Sequence, residues 1–78
     1  MKARDFFRSL IGLDIKDAID KLGYWWRLHN VHHNPSVGFY TFERAAGGHL
    51  ELRTDNKNIV TNEFHNGLAE LQQNRDLK

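Results

Sequence analysis

The chain predicts an α+β two-layer sandwich: an N-terminal helix or two short helices, a three-stranded antiparallel meander, then a C-terminal helix. Three observations carry this expectation. Apolar residues recur at helical spacing up to Leu22. Between Tyr24 and Thr54 the pattern changes to strand-like alternation, broken at Asn34-Pro35 and Gly47-Gly48. Beyond Ile59 helical spacing returns, with Phe64, Leu68 and Leu71 at i, i+4 and i+7.

The first segment carries Phe6, Phe7, Leu10 and Ile11 on one helical face, and Gly12 is its expected stop. Asp14 has the short acceptor side chain of a helix N-cap, and Asp17 places negative charge in the first turn, where the helix dipole favours it. Ile15, Ala18, Ile19 and Leu22 form an apolar stripe. Gly23 ends the helix because it tolerates the left-handed backbone of a C-terminal cap.

The stretch from Tyr24 to Thr54 holds both tryptophans, both tyrosines and four of the five histidines. A strand from Tyr24 to His33 puts Tyr24, Trp26 and Leu28 on the core face. Trp25, Arg27, His29, Val31 and His33 then lie on the other. The third strand, His49–Thr54, points Leu50 and Leu52 inward. The intervening hairpin therefore needs an odd loop, with Gly47 or Gly48 at positive φ, so that Phe42 opposes Leu50 and Tyr40 opposes Leu52. Asp55-Asn56-Lys57-Asn58 is a turn by composition. Thr61 or Asn62 is the expected cap of the last helix. The expected core is Phe7, Leu10, Ile15, Ile19, Leu22, Trp26, Leu28, Tyr40, Phe42, Leu50, Leu52, Phe64, Leu68 and Leu71.

Residues 1–78 are read as one domain. The chain has no cysteine, so no disulfide supports this small core. Eleven basic residues oppose ten acidic ones, and they are dispersed rather than gathered in the stripe typical of nucleic-acid binders. The N-terminal apolar group is too short for a secretion signal or a membrane span, so the expectation is a cytoplasmic protein without membrane contact.

No catalytic or binding signature of specific spacing is present. His29 and His33, four apart on a strand, are separated by about 13 Å, too far to share one metal ion. Ser9 and Ser36 lie in no nucleophile elbow. Gly47-Gly48 is a hairpin turn rather than a phosphate loop. His49 with Glu43 or Glu51 is the pair to test for acid–base chemistry. No cofactor, metal site or catalytic residue is assigned.

With helices on one face only, the other face keeps large apolar residues among polar ones, the composition of an interface. The expected partner-binding residues are Trp25, Arg27, His29, Val37, Phe39, Glu51 and Arg53. The expected function is a small non-enzymatic regulator or inhibitor, of the size found in phages and mobile elements. It acts by contact with a protein or with itself as a homodimer. One alternative is an RNA-binding module on the same face, with Arg27, Arg44 and Arg53 beside stacking aromatics. A third is a small histidine-dependent nuclease.

The order helix, three strands, helix resembles the double-stranded-RNA-binding-like fold of HicA-type toxins, which are small ribonucleases. The resemblance implies a catalytic histidine on a central strand. The counterpart here, Gly38-Phe39-Tyr40-Thr41-Phe42, has none, so the resemblance implies the fold and not the nuclease activity.

Overall fold

The architecture is an antiparallel β-meander backed by two short helices, given by a computed structural model that describes residues 3–45 and 47–66. Helix α1 spans Ala3–Arg8 and α2 spans Ile15–Leu22. A 3₁₀ turn over Gly23–Trp25 leads to four strands: β1 (Arg27–His33), β2 (Gly38–Glu43), β3 (His49–Thr54) and β4 (Val60–Asn66). They lie in the order β1-β2-β3-β4, every neighbour antiparallel.

The helical half forms as its sequence dictates. The Asp14 carboxylate accepts the Lys16 N–H at 2.9 Å and caps α2. Gly23, at φ 68°, ends α2 and returns its N–H to the Ile19 carbonyl. The connection between the helices is bound to the start of β4. Gly12 N–H donates to the Val60 carbonyl, Val60 N–H to Leu13, and Ile15 N–H to Asn58, each at 2.8 Å. A bridge between Asp14 and Ile59 belongs to the same pairing. Gly12 turns at φ 94°, a region that favours glycine.

The core packs Phe7, Leu10, Ile15, Ala18 and Leu22 of the helical half onto Trp26, Tyr40, Phe42, Leu50, Leu52 and Val60. Phe7 meets Trp26 edge-on, with centroids 5.6 Å apart. Nine of the expected core residues are buried, while Ile19 is half-buried against the cluster. The β2–β3 register pairs Phe42 with Leu50 and Tyr40 with Leu52 across a five-residue loop, Arg44 to Gly48. Gly47 and Gly48 both take positive φ, 97° and 121°, so the hairpin matches the expectation from alternation. A slip by one residue would bury Glu51 and Arg53 and expose both leucines.

Three expectations are corrected. First, Val60–Asn66 is a strand, not the start of a C-terminal helix. Its β-branched opening, Val60-Thr61, and the alternation of Glu63 and His65 with Asn62 and Phe64 suit a fourth strand on β3. Leu68 and Leu71, the rest of the expected helix face, lie outside the described residues. The described order therefore departs from helix, three strands, helix. Phe64 pairs with Glu51 on the face away from the core and is 47% exposed.

Second, the strand begins at Arg27 rather than Tyr24. The 3₁₀ turn takes Tyr24 and Trp25 off the sheet, and Tyr24 is exposed rather than in the core. Third, the β1–β2 register shifts between Leu28 and Asn30, with His29 the extra residue of a β-bulge. Val31 and His33 thereby pair with Tyr40 and Gly38 on the helix side, and Asn30 and His32 turn to the open side. The helices leave the β1 end of their face thinly covered, so Leu28 and Val31 are both 41% exposed.

The bulge sends the His33 ring over Gly38, where its Nε2 lies 2.9 Å from the Tyr40 hydroxyl. Gly38 leaves the space for it. A Cβ there would meet Thr54 Oγ1 at 2.5 Å and His33 Cδ2 at 2.9 Å. Thr54 is fully buried, so it has little room to yield. Gly38→Ala is expected to destabilise the fold by about 1–3 kcal/mol, as overpacked cores do, which chemical denaturation will measure.

The β3–β4 turn is organised by Asp55. Its carboxylate accepts the backbone N–H groups of Ile59 at 3.0 Å and Lys57 at 2.8 Å. These bonds, that of Ile59 foremost, hold its pKa below the ordinary value of 3.8. A folded-state pKa below the unfolded one adds stability that is complete well above 3.8 and is lost as pH falls through the folded value. Asp55→Asn should therefore lower the melting temperature at about pH 7, with the difference narrowing toward about pH 2. Thermal melts across pH check this.

Candidate functional site

The four-stranded sheet has one face against the helices and one with no described element upon it. From β1 to β4 the open face presents Arg27, Asn30 and His32, then Phe39, Thr41 and Glu43, then His49, Glu51 and Arg53, then Asn62 and Phe64. Register alone puts them there, because each is paired across the strands with another of the same set.

At the centre, Arg53 lies between two rings. Its guanidinium carbon is 4.5 Å from the Phe64 centroid and 5.3 Å from that of Phe39. Its Nε donates to Glu51 Oε2 at 3.0 Å, which fixes the stack laterally. His32 extends the row, with its ring 6.1 Å from Phe39. A cation held over aromatic faces covers apolar area and keeps its charge near water. The result is a flat patch of two aromatics with one neutralised ion pair.

A second feature sits at the end of the sheet where the 3₁₀ turn meets the β2–β3 loop. A cleft of about 350 Å³ is lined by Tyr24, Trp25, Arg27, Glu43, Arg44 and Ala45. Tyr24 and Trp25 stack on each other, with centroids 5.2 Å apart and planes 23° from parallel. They are 87% and 67% exposed. Arg44 is held in place: its Nε donates to the Gly47 carbonyl at 3.0 Å, and its guanidinium lies 5.5 Å from the Trp26 centroid. His29 reaches Glu43, Nε2 to Oε1 3.8 Å.

The seven expected contact residues thus separate. Phe39, Glu51 and Arg53 come together on the open face. Arg27 lies at its end and also lines the cleft, with His29 nearby on the bulge. Trp25 stands in the cleft, off the sheet. Val37 sits in the turn before β2, its N–H donated to Asn34 Oδ1 at 2.9 Å. Phe64 and Tyr24, both expected on the core face, join these features instead, as does Arg44, one of the three arginines of the RNA-binding alternative. For Phe64 the signal was alternation with Glu63 and His65, masked by the helical spacing of the residues that follow.

His49 opposes Glu43 on β2 and Asn66 on β4, but among the described residues its ring makes no hydrogen bond or ion pair with a carboxylate. The close histidine–carboxylate pair is elsewhere. On the helix side of β4, His65 Nδ1 lies 2.8 Å from Glu63 Oε2, both side chains largely covered, and the His65 ring packs 4.9 Å from Phe7. This pair satisfies two polar groups beneath α1. Among the described residues no group of three potential ligands is placed to hold a metal ion, and no helix is long and apolar enough to cross a membrane. No family model, curated protein or solved structure matches the chain.

The two adjacent tryptophans have opposite surroundings, Trp26 buried and Trp25 exposed. Trp25→Ala should change stability by less than about 0.5 kcal/mol, as surface substitutions do, whereas Trp26→Ala should cost about 3–5 kcal/mol. In the parent protein, acrylamide should quench one fluorescent component readily, and Trp25→Phe should remove that component.

Proposed function

We propose that the chain is a small cytoplasmic binding module, without catalytic activity, that docks the open face of its sheet onto protein, first of all onto a second copy of itself. The observation that carries this is the Phe39–Arg53–Phe64 stack on a sheet face that no described element covers. Interfaces place aromatic and arginine anchors at their centre and polar groups at the rim, and this face has that arrangement.

Charge favours a second copy. Arg27 and Arg53 on this face are matched by Glu43 and Glu51. A face with equal numbers of both signs can meet its own copy across a two-fold axis without net repulsion. A polyanion laid on the same face would meet the two carboxylates. Size sets the mode of contact. Strand spacing and rise give a footprint on the order of 400 Å² before side-chain relief, against roughly 800 Å² per partner in a specific interface. The whole face, enlarged by side-chain relief, and the loops at its rim must therefore engage.

Sedimentation equilibrium over a concentration series tests the proposal. The parent should associate reversibly to dimers. Phe64→Ala and Phe39→Ala should each weaken the dimer by about tenfold or more, the loss typical of a central anchor, with melting temperatures close to that of the parent at matched dilution. A parent that stays monomeric at high concentration, or a dimer indifferent to both substitutions, overturns it.

A further inference from the structure

We propose that the cleft between the 3₁₀ turn and the β2–β3 loop is a binding site for a nucleotide unit, its base stacked on Tyr24-Trp25 and its phosphate held by Arg27 and Arg44. This site adjoins one end of the open sheet face and shares Arg27 and Glu43 with it, but its aromatic platform lies off the sheet and does not depend on dimerisation.

The first support is the aromatic pair. Two rings within 23° of parallel form a platform, and at 87% and 67% exposure they leave aromatic surface free for a third ring. The core does not explain them. Trp26, the next residue, takes the core position. Stacking suits any planar base, because every base has a π-face.

The second support is charge. Arg27 and Arg44 line the cleft against a single carboxylate, Glu43, which is the 3.8 Å partner of His29. Among the described residues neither arginine forms an ion pair. Arg44 is set in advance, since the Gly47 carbonyl takes its Nε–H and the Trp26 ring supports its guanidinium. Its terminal nitrogens make no hydrogen bond among the described residues, so they can present the planar fork that phosphate oxygens accept.

The third support is size. A cleft of about 350 Å³ is at the small end of ligand sites, which suits one nucleotide. The chain's net charge of +1, dispersed along the sequence, provides no track for a long polyanion. Base and phosphate are therefore recognised together within one compact site, whether they come as a free nucleotide or as one unit of a single strand.

Isothermal titration with adenosine monophosphate, inorganic phosphate and a single-stranded uridine octanucleotide tests this. Adenosine monophosphate should bind at least about tenfold more tightly than phosphate, because stacking adds to the ionic contact. Tyr24→Ala, Arg27→Gln and Arg44→Gln should each weaken it by about tenfold, and Phe64→Ala on the open face should leave it unchanged. Arg27→Gln serves as the control if Arg44→Gln disturbs the loop. Equal affinity of the octanucleotide and the mononucleotide identifies a one-nucleotide site. Tighter octanucleotide binding, lost in the same variants, identifies a strand passing through it. Absence of binding by both nucleotide probes at millimolar concentration, equal affinity for phosphate and adenosine monophosphate, or indifference to the three cleft substitutions overturns the proposal.

Discussion

Three backbone hydrogen bonds join residues 12–15 to Val60, the first residue of β4, and to Asn58 in the turn before it, and the layering of the molecule depends on them. Neither helix exceeds eight residues, and isolated helices of that length are not stable in water. The pairing of Gly12, Leu13 and Ile15 with Val60 and Asn58 holds both helices over the inner face and sets Phe7 against Trp26 and His65. It also joins residues distant in sequence, so the N-terminal half and the last described strand are held as one unit. Both helices are committed to this face, so no described element lies on the opposite one.

Much of this was legible in the sequence. The α2 stripe and its Asp14 and Gly23 caps are local features, and local chemistry specifies them. The β2–β3 hairpin was legible because strict alternation of Leu50 and Leu52 with charged residues admits one register. What was not legible depends on contacts made far away. Val60–Asn66 has a helix-like cap and helical spacing to Leu68, yet β3 offers it an open edge, and pairing there outweighs weak local preference. The extra residue at His29 leaves no mark on composition. It reverses the facing of every residue after it, which is why Val31 and His33 were expected on the wrong side.

The same errors explain why the candidate site was read as one surface. Alternation counted from Tyr24 placed Trp25 in line with Arg27 and His29. The 3₁₀ turn breaks that line and separates an aromatic cleft from the sheet face. Phe39, Glu51 and Arg53 stayed together because they belong to the well-specified hairpin. The open face is nearly neutral and flat; the cleft is concave and carries a surplus of positive charge. These are different physical environments.

The bulge at His29 also bears on unwanted strand pairing at the edge of the sheet. All seven residues of β1 are exposed, and the strand forms one edge of the sheet. A straight edge of that length offers a free row of donors and acceptors on which other chains can add strands without limit. The extra residue breaks that row near its middle and twists the strand, so no long stretch keeps a regular hydrogen-bonding repeat. A single insertion thus works against fibril-like growth along this edge without disturbing the regular pairing of β2 with β3.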